Sequence, residues 1–330
     1  MTPVRIDPAG VAGPTRGQSQ GSRWRQTSTG LYVPSSVDES GVEQRILEQA
    51  SGIRQYGAVT AWAALRWHGA AFFDGTTDGG RTRLPVPLVV GRSRLRPDPR
   101  VSLCEEQLAP SERVLVDDVW VTTVQRALFD EVRRTRSLWA AVVAIEMAAA
   151  ARLISVRLFG GYVERRPAWT GVPFVRTALL HAIDHSRSPQ ETLMRLCWLF
   201  EAGLPPPLCN QELFDLDGRL LGVPDLFDPV AGLVGEYDGA DHKDGERHRA
   251  DVAREERFRD HGLEYFEIVR GDLRDRRRAA TRMLNARSRA KFLPPESCAW
   301  TLTRPRWRPA PESLNDHLER AGLAAGLTTT

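Results

Sequence analysis

Residues 219–239 carry two apolar runs, Arg219-Leu220-Leu221-Gly222-Val223-Pro224-Asp225-Leu226-Phe227 and Gly232-Leu233-Val234-Gly235-Glu236-Tyr237, joined by a turn that starts at Asp228-Pro229 and followed by Asp238-Gly239. Apolar runs separated by turn formers predict two strands of a hairpin, over 219–227 and 232–237. Upstream, 210–216 reads as a further strand, joined to the first by the tight Asp217-Gly218 turn. Before it, Ser188, Pro189 and Glu191 have the layout of a capping box opening a helix over 189–202, which Gly203 stops. Downstream come a polar helix over 245–261 ended by Gly262, a strand over 263–269 and an arginine-dense helix over 272–289. The order α-β-β-β-α-β-α predicts an α/β fold of the α+β kind, a mixed central sheet flanked by helices.

Within that frame, Asp225 lies near the end of one hairpin strand and Glu236 near the end of the other, with Asp238 two positions on. Side chains alternate along a strand, so Glu236 and Asp238 share a side. Carboxylates held together need a cation or a proton between them, and hard oxygen ligands suit Mg²⁺ or Mn²⁺. Gly239 lets the chain turn so that His242 returns towards the cluster as a general base or phosphate contact. Competing readings are a plain Asp238-Gly239 turn, a zinc site from His242, His248 and Asp251, and a capping role for Glu191. Asp251 and Arg254, three apart on one helix face, suit a structural pair or a bridge to phosphate.

The stretches Gly222-Val223-Pro224-Asp225, Gly235-Glu236-Tyr237-Asp238-Gly239-Ala240-Asp241-His242 and Asp251-Val252-Ala253-Arg254, with Ser188-Pro189-Gln190-Glu191 before them, resemble the PD-(D/E)xK nuclease superfamily. The resemblance is strongest to its very-short-patch-repair-like branch and spans 188–290. It implies a restriction-endonuclease-like fold and Mg²⁺-dependent phosphodiester hydrolysis. Carried over, Asp225 and Glu236 would hold the metal, while Asp238 and His242 would position the attacking water and the phosphate. Glu191 would face the same site. The lysine that names the superfamily is replaced by Asp238, so the metal would have to supply nearly all of the positive charge; Lys243, beside His242, is a loose substitute.

The same half is locally basic. From Arg270 to Lys291 there are nine basic residues against two acidic ones, in a chain whose net charge is only +3. Arg270, Arg274, Arg276, Arg277, Arg278 and Arg282, together with Arg254, are the expected contacts to DNA phosphates. The bland alternative is a solvated helix face in an arginine-rich proteome, since 43 of the 45 basic residues are arginine.

Residues 41–185 read differently. Helices over about 42–52 and 60–67, joined at Tyr56-Gly57, permit a helix-turn-helix. Short strands at 87–91, 100–103 and 118–122 precede helices over 123–134, 137–152, from Ser155 and over 172–185. Gly57-Ala58-Val59-Thr60-Ala61 and the run from Trp120 to Asp130 are similar to the AbiEi-type antitoxin module, which implies a mostly helical domain with a winged-helix start and a role in regulation or phage defence. Residues 1–40, rich in Pro, Gly, Ser, Thr and Arg, are expected to be disordered, and 291–330 to form a tail.

Composition narrows the classes further. Four scattered cysteines without a Cys-x-x-Cys pair argue against a zinc ribbon or a disulfide scaffold and for a reducing, cytoplasmic setting. The most apolar helical run, Leu138–Ile154, is interrupted by Glu146 and Arg152, so it is expected to be a buried helix and not a membrane span. Two functions follow from the sequence: a metal-dependent DNA endonuclease of repair or phage defence, and a DNA-binding regulator or antitoxin whose nuclease fold is inactive.

Overall fold

A computed structural model of the chain describes residues 1–53, 56–77, 80–90, 98–239 and 245–323, with side chains from 249 onward in the last stretch except at 250. The chain divides into two compact units, one formed by Met1–Leu180 with the residues from Gly322 onward and the other by His181–Ala321.

The first unit opens with β1 (Val4–Arg5), β2 (Trp24–Ser28) and β3 (Leu31–Pro34), an antiparallel sheet in the order β1-β3-β2. Residues 1–40 are therefore folded, against the expectation of disorder. Leu31 and Val33 alternate inward and are buried, and Arg25 makes a bidentate pair with buried Glu48 at 2.9 and 2.7 Å. Asp7 also accepts the N–H groups of Ala9, Val11 and Ala12, so local bonds add to these contacts.

Next come α1 (Val42–Ala50), β4 (Ala58–Val59), α2 (Ala61–Trp67), the small hairpin β5 (Thr76–Thr77) and β6 (Thr82–Arg83), β7 (Val86–Val89), β8 (Val101–Cys104), β9 (Arg113–Val116) and β10 (Val119–Thr122). A five-stranded sheet runs β8-β7-β4-β10-β9. Its central strand, β4, lies between α1 and α2. A sheet strand thus follows the expected Tyr56-Gly57 turn and separates it from α2, and the described residues of 42–67 do not form a helix-turn-helix. The unit is mixed, not mostly helical. Its helical layer follows as α3 (Val124–Arg134), α4 (Leu138–Ala150), α5 (Val156–Glu164) and α6 (Val172–Leu179). Ser137 and Ser155 cap α4 and α5 as N-cap residues do. Val142, Ile145 and Ala148 of α4 are buried, and no helix among the described residues is long and apolar enough to cross a membrane.

The second unit begins with α7 (Pro189–Phe200) and continues with β11 (Leu213–Asp215), β12 (Leu220–Gly222), β13 (Leu226–Asp228), β14 (Leu233–Asp238), α8 (Gly245–Asp260), β15 (Glu264–Val269), α9 (Arg276–Arg289), β16 (Trp300–Thr301) and α10 (Leu314–Arg320). The order is the expected one with two corrections. The strand expected over 219–227 is broken at Val223-Pro224-Asp225 because Pro224 has no N–H for a ladder. Its halves belong to different sheets, β12-β11-β16 and β13-β14-β15. The segment after Pro294 is no loose tail, since β16 pairs with β11 and the Trp300 ring packs edge-on against Phe227 at 5.0 Å. None of the four cysteines is in a disulfide.

The β13-β14-β15 sheet is the frame of the site. β13 and β14 are antiparallel, with Leu226 opposite Gly235, whereas β14 and β15 are parallel, with Glu236 opposite Glu267. Asp228 closes the hairpin by accepting the N–H groups of Val230 and Ala231. Val234 and Tyr265 face a core that holds Phe258 of α8. Phe266 points the other way and stacks on Trp198 of α7 at 6.0 Å. Two glycines of the sequence motif make these layers fit. A Cβ at Gly235 would stand 2.3 Å from the Phe266 ring, and one at Gly222 would stand 2.5 Å from the Phe258 ring.

Candidate active site

Extending the β13–β14 register by one step places Asp225 opposite Glu236. Asp225 Oδ2 accepts the backbone N–H of Tyr237 at 2.8 Å, which fixes its carboxyl beside the end of β14. Glu236 is 6% exposed and shares the side of Val234, so it points towards α8. There Arg254 Nη2 donates to Glu236 Oε2 at 3.3 Å and to Asp251 Oδ1 at 3.2 Å. Glu236 Oε1 is buried and has no hydrogen-bond partner among the described residues.

Protonation follows from that burial. Desolvation pushes Glu236 up to about 8, reinforced by the charges of Asp225, Asp251 and Glu191 and opposed by Arg254. Asp225 is pushed up to about 6 by burial, against the Tyr237 N–H, with Glu191 raising it and Arg254 and Arg187 lowering it. Two carboxyls from paired strands thus disfavour ionising together unless a positive charge joins them.

Glu191 reaches the cluster only through its charge. Its own backbone N–H is accepted by Ser188 Oγ at 3.2 Å, while its Oε2 accepts the Arg187 N–H at 2.9 Å and the Asn210 side-chain amide at 2.8 Å. The capping box is real but shifted, because the carboxylate takes the N–H one residue before the cap. Asn210, at φ +51°, was not singled out from the sequence. The residue type is the only sequence signal, since asparagine is among the few residues besides glycine that adopt left-handed backbone routinely. Asp238 ends β14 opposite Val269 and is half-buried. His242 and Lys243 lie outside the described residues, and so does the side chain of His248, so the expected histidine contact and the zinc alternative fall there too.

An orphaned carboxylate oxygen beside a second carboxylate fits a hard divalent cation, and Mg²⁺ commonly takes only one or two carboxylates and keeps water or phosphate for the rest. The described residues contain no group of three His, Cys, Asp or Glu able to hold a metal. Among the described residues, Asp225 and Glu236 are the carboxyls that face each other there.

The arginines of α9 divide into two sets. Arg282 donates to Asp272 at 2.7 Å and to the Glu267 carbonyl at 2.8 Å, Arg287 to Asp228 at 2.9 Å and Arg289 to Glu264 at 2.7 Å. These tie the helix to its own sheet, and Arg254 is likewise engaged by Glu236 and Asp251. Arg274, Arg276, Arg277 and Arg278 remain on the exposed side of the segment, Arg278 only 3.8 Å from Asp272 and Arg276 3.9 Å from Glu201, with Arg270 exposed before them.

The motif from Trp120 to Asp130 is largely internal. Arg126, fully buried, bridges Asp130 at 2.9 Å and Glu112 at 2.7 Å. Thr60 Oγ1 donates to Asp130 at 2.6 Å, and Tyr162 and Arg166 donate to Glu112 at 2.6 and 2.8 Å. A buried, mutually neutralised network of this kind explains those residue types without a ligand.

Comparison with known proteins adds no assignment to this geometry: no family model matches the chain, and neither a curated protein nor a solved structure does.

Proposed function

We propose that the second unit is a metal-dependent DNA endonuclease with a restriction-endonuclease-like arrangement. The observation that carries this reading is the Glu236 carboxylate, buried next to Asp225 with one oxygen unpartnered. Burying such an oxygen costs free energy that a cation would return. The metal, Mg²⁺ or Mn²⁺, would polarise the scissile phosphate and lower the pKa of an attacking water. Asp225 and Glu236 bind it, and the Tyr237 N–H orients Asp225. Arg254 compensates Glu236 and is placed to exchange that contact for a phosphate oxygen. The exposed Arg270, Arg274, Arg276, Arg277 and Arg278 supply backbone contacts to DNA without reading bases. A setting in DNA repair or phage defence rests on the motif resemblances.

One observation favours the alternative, a DNA-binding regulator with an inactive nuclease fold: Arg254 already stands on Glu236, and no third carboxylate or imidazole completes a ligand group among the described residues. Supercoiled plasmid incubated with Mg²⁺ or Mn²⁺ separates the two. The endonuclease nicks it and Asp225→Ala abolishes nicking. Binding of DNA by both proteins with cutting by neither establishes the regulator.

A further inference from the structure

The first unit contains a polar cavity of about 330 Å³ that none of the motifs above uses. Arg25 of β2, Arg45 of α1, Arg83 of β6 and Arg100 before β8 line it, against Glu39 and Glu48. Two of the guanidiniums are matched in place: Arg25 grips Glu48 in two positions, and Arg100 grips Asp98 at 3.0 and 2.7 Å. The other two are not. Arg45 donates only to the carbonyls of Leu84 at 2.5 Å and Gly75 at 3.4 Å, and among the described residues neither Arg45 nor Arg83 has a carboxylate within ion-pair range. Asp74 and Asp38 act on them only at a distance. Burial and the nearby charge of Arg83 both disfavour the charged form of Arg45, against the charge of Asp74. Leu84, Pro85, Val86 and Pro99 form an apolar wall beside it.

We propose that this cavity binds a small organic phosphate monoester, with Arg45 and Arg83 on the phosphate and the apolar wall against the organic group. With Glu48 and Asp98 taken up by Arg25 and Arg100, and Glu39 3.5 Å from Arg25, Arg45 and Arg83 are the two guanidiniums left for the phosphate oxygens. Guanidinium forks grip phosphate oxygens pairwise, and the volume is at the small end of ligand pockets, roughly 300–1,000 Å³. It admits a nucleotide-sized molecule and not a duplex.

Isothermal titration of the full chain with inorganic phosphate and with adenosine monophosphate, at ionic strength matched with chloride, tests this. Both bind the wild type, the monoester more tightly. Exposed Arg83→Ala, which removes no internal bond, weakens both by roughly tenfold, the loss of one charge-assisted contact. Arg45→Gln does the same if it folds, and Arg219→Ala, an exposed arginine in neither site, leaves both unchanged. Absence of binding above the chloride control, or binding indifferent to Arg83→Ala, overturns the proposal. Binding lost instead in Arg277→Ala relocates the anion to α9 and overturns it as well. Equal affinity for phosphate and the monoester contradicts the apolar half of the assignment.

Discussion

Asp225 takes the backbone N–H of Tyr237, the residue immediately after Glu236, so a single hydrogen bond joins the two strands at the point where they present their acids. The acid pair is thereby a property of the β13–β14 register and not of loop conformation. Its raised carboxyls contribute to the pH dependence of the metal-free protein.

Glu236 sits above its ordinary value, so the folded state prefers it protonated. Such a group adds stability at pH below the unfolded carboxyl value and loses it as pH rises towards about 8. Glu236→Gln mimics the protonated form. It should match the wild type near pH 5 and exceed its unfolding free energy near pH 9 by on the order of 3 kcal/mol, without metal. Urea melts at the two pH values check this, and equal pH dependence in both proteins contradicts it.

Gly235→Ala should cost about 2–3 kcal/mol, because the new methyl enters the Phe266 ring and disturbs its stack on Trp198. Adding Phe266→Leu should recover part of that loss, a coupling that a double-mutant cycle of denaturant midpoints reads directly.

Arg126→Ala leaves the Asp130 and Glu112 carboxylates buried without their shared cation. A loss of about 3–5 kcal/mol is expected. Thermal unfolding measures it, and a change below about 1 kcal/mol would remove the network from its structural role.

On α9, exposure separates two outcomes. Arg277→Ala should weaken DNA binding and lower the slope of log affinity against log salt by about 1, with stability unchanged. Arg282→Ala should chiefly lower stability, since its guanidinium is spent on Asp272 and Glu267. Filter binding across a salt series, beside melting curves, distinguishes them.

The second unit was legible in the sequence because its signals are local. Ser188-Pro189 opens α7, Gly218 at φ +83° closes the turn before Arg219, and the apolar runs become β14 and β15. What escaped was long-range. Pro224 does not say that the halves on either side of it enter different sheets, and nothing near Arg282 announces Asp272 and the Glu267 carbonyl as its partners. In the first unit, β4 is two residues long and hides between two helical patterns. Residues 1–40 looked disordered because their order depends on Glu48, more than twenty residues from Arg25. The placement of Asp225 beside Glu236 was legible from the hairpin that the Asp228-Pro229 turn predicts. The burial of the pair, and the unpartnered Glu236 oxygen, required the packing of α8.

The most direct test is calorimetric titration of Mn²⁺ into wild-type protein near pH 7 in two buffers of different ionisation enthalpy. A cation that takes the place of the proton on Glu236 binds at a single site and releases close to one proton, and Glu236→Gln neither binds nor releases. Binding without proton release, or no difference between wild type and Glu236→Gln, would contradict a metal held between Asp225 and Glu236.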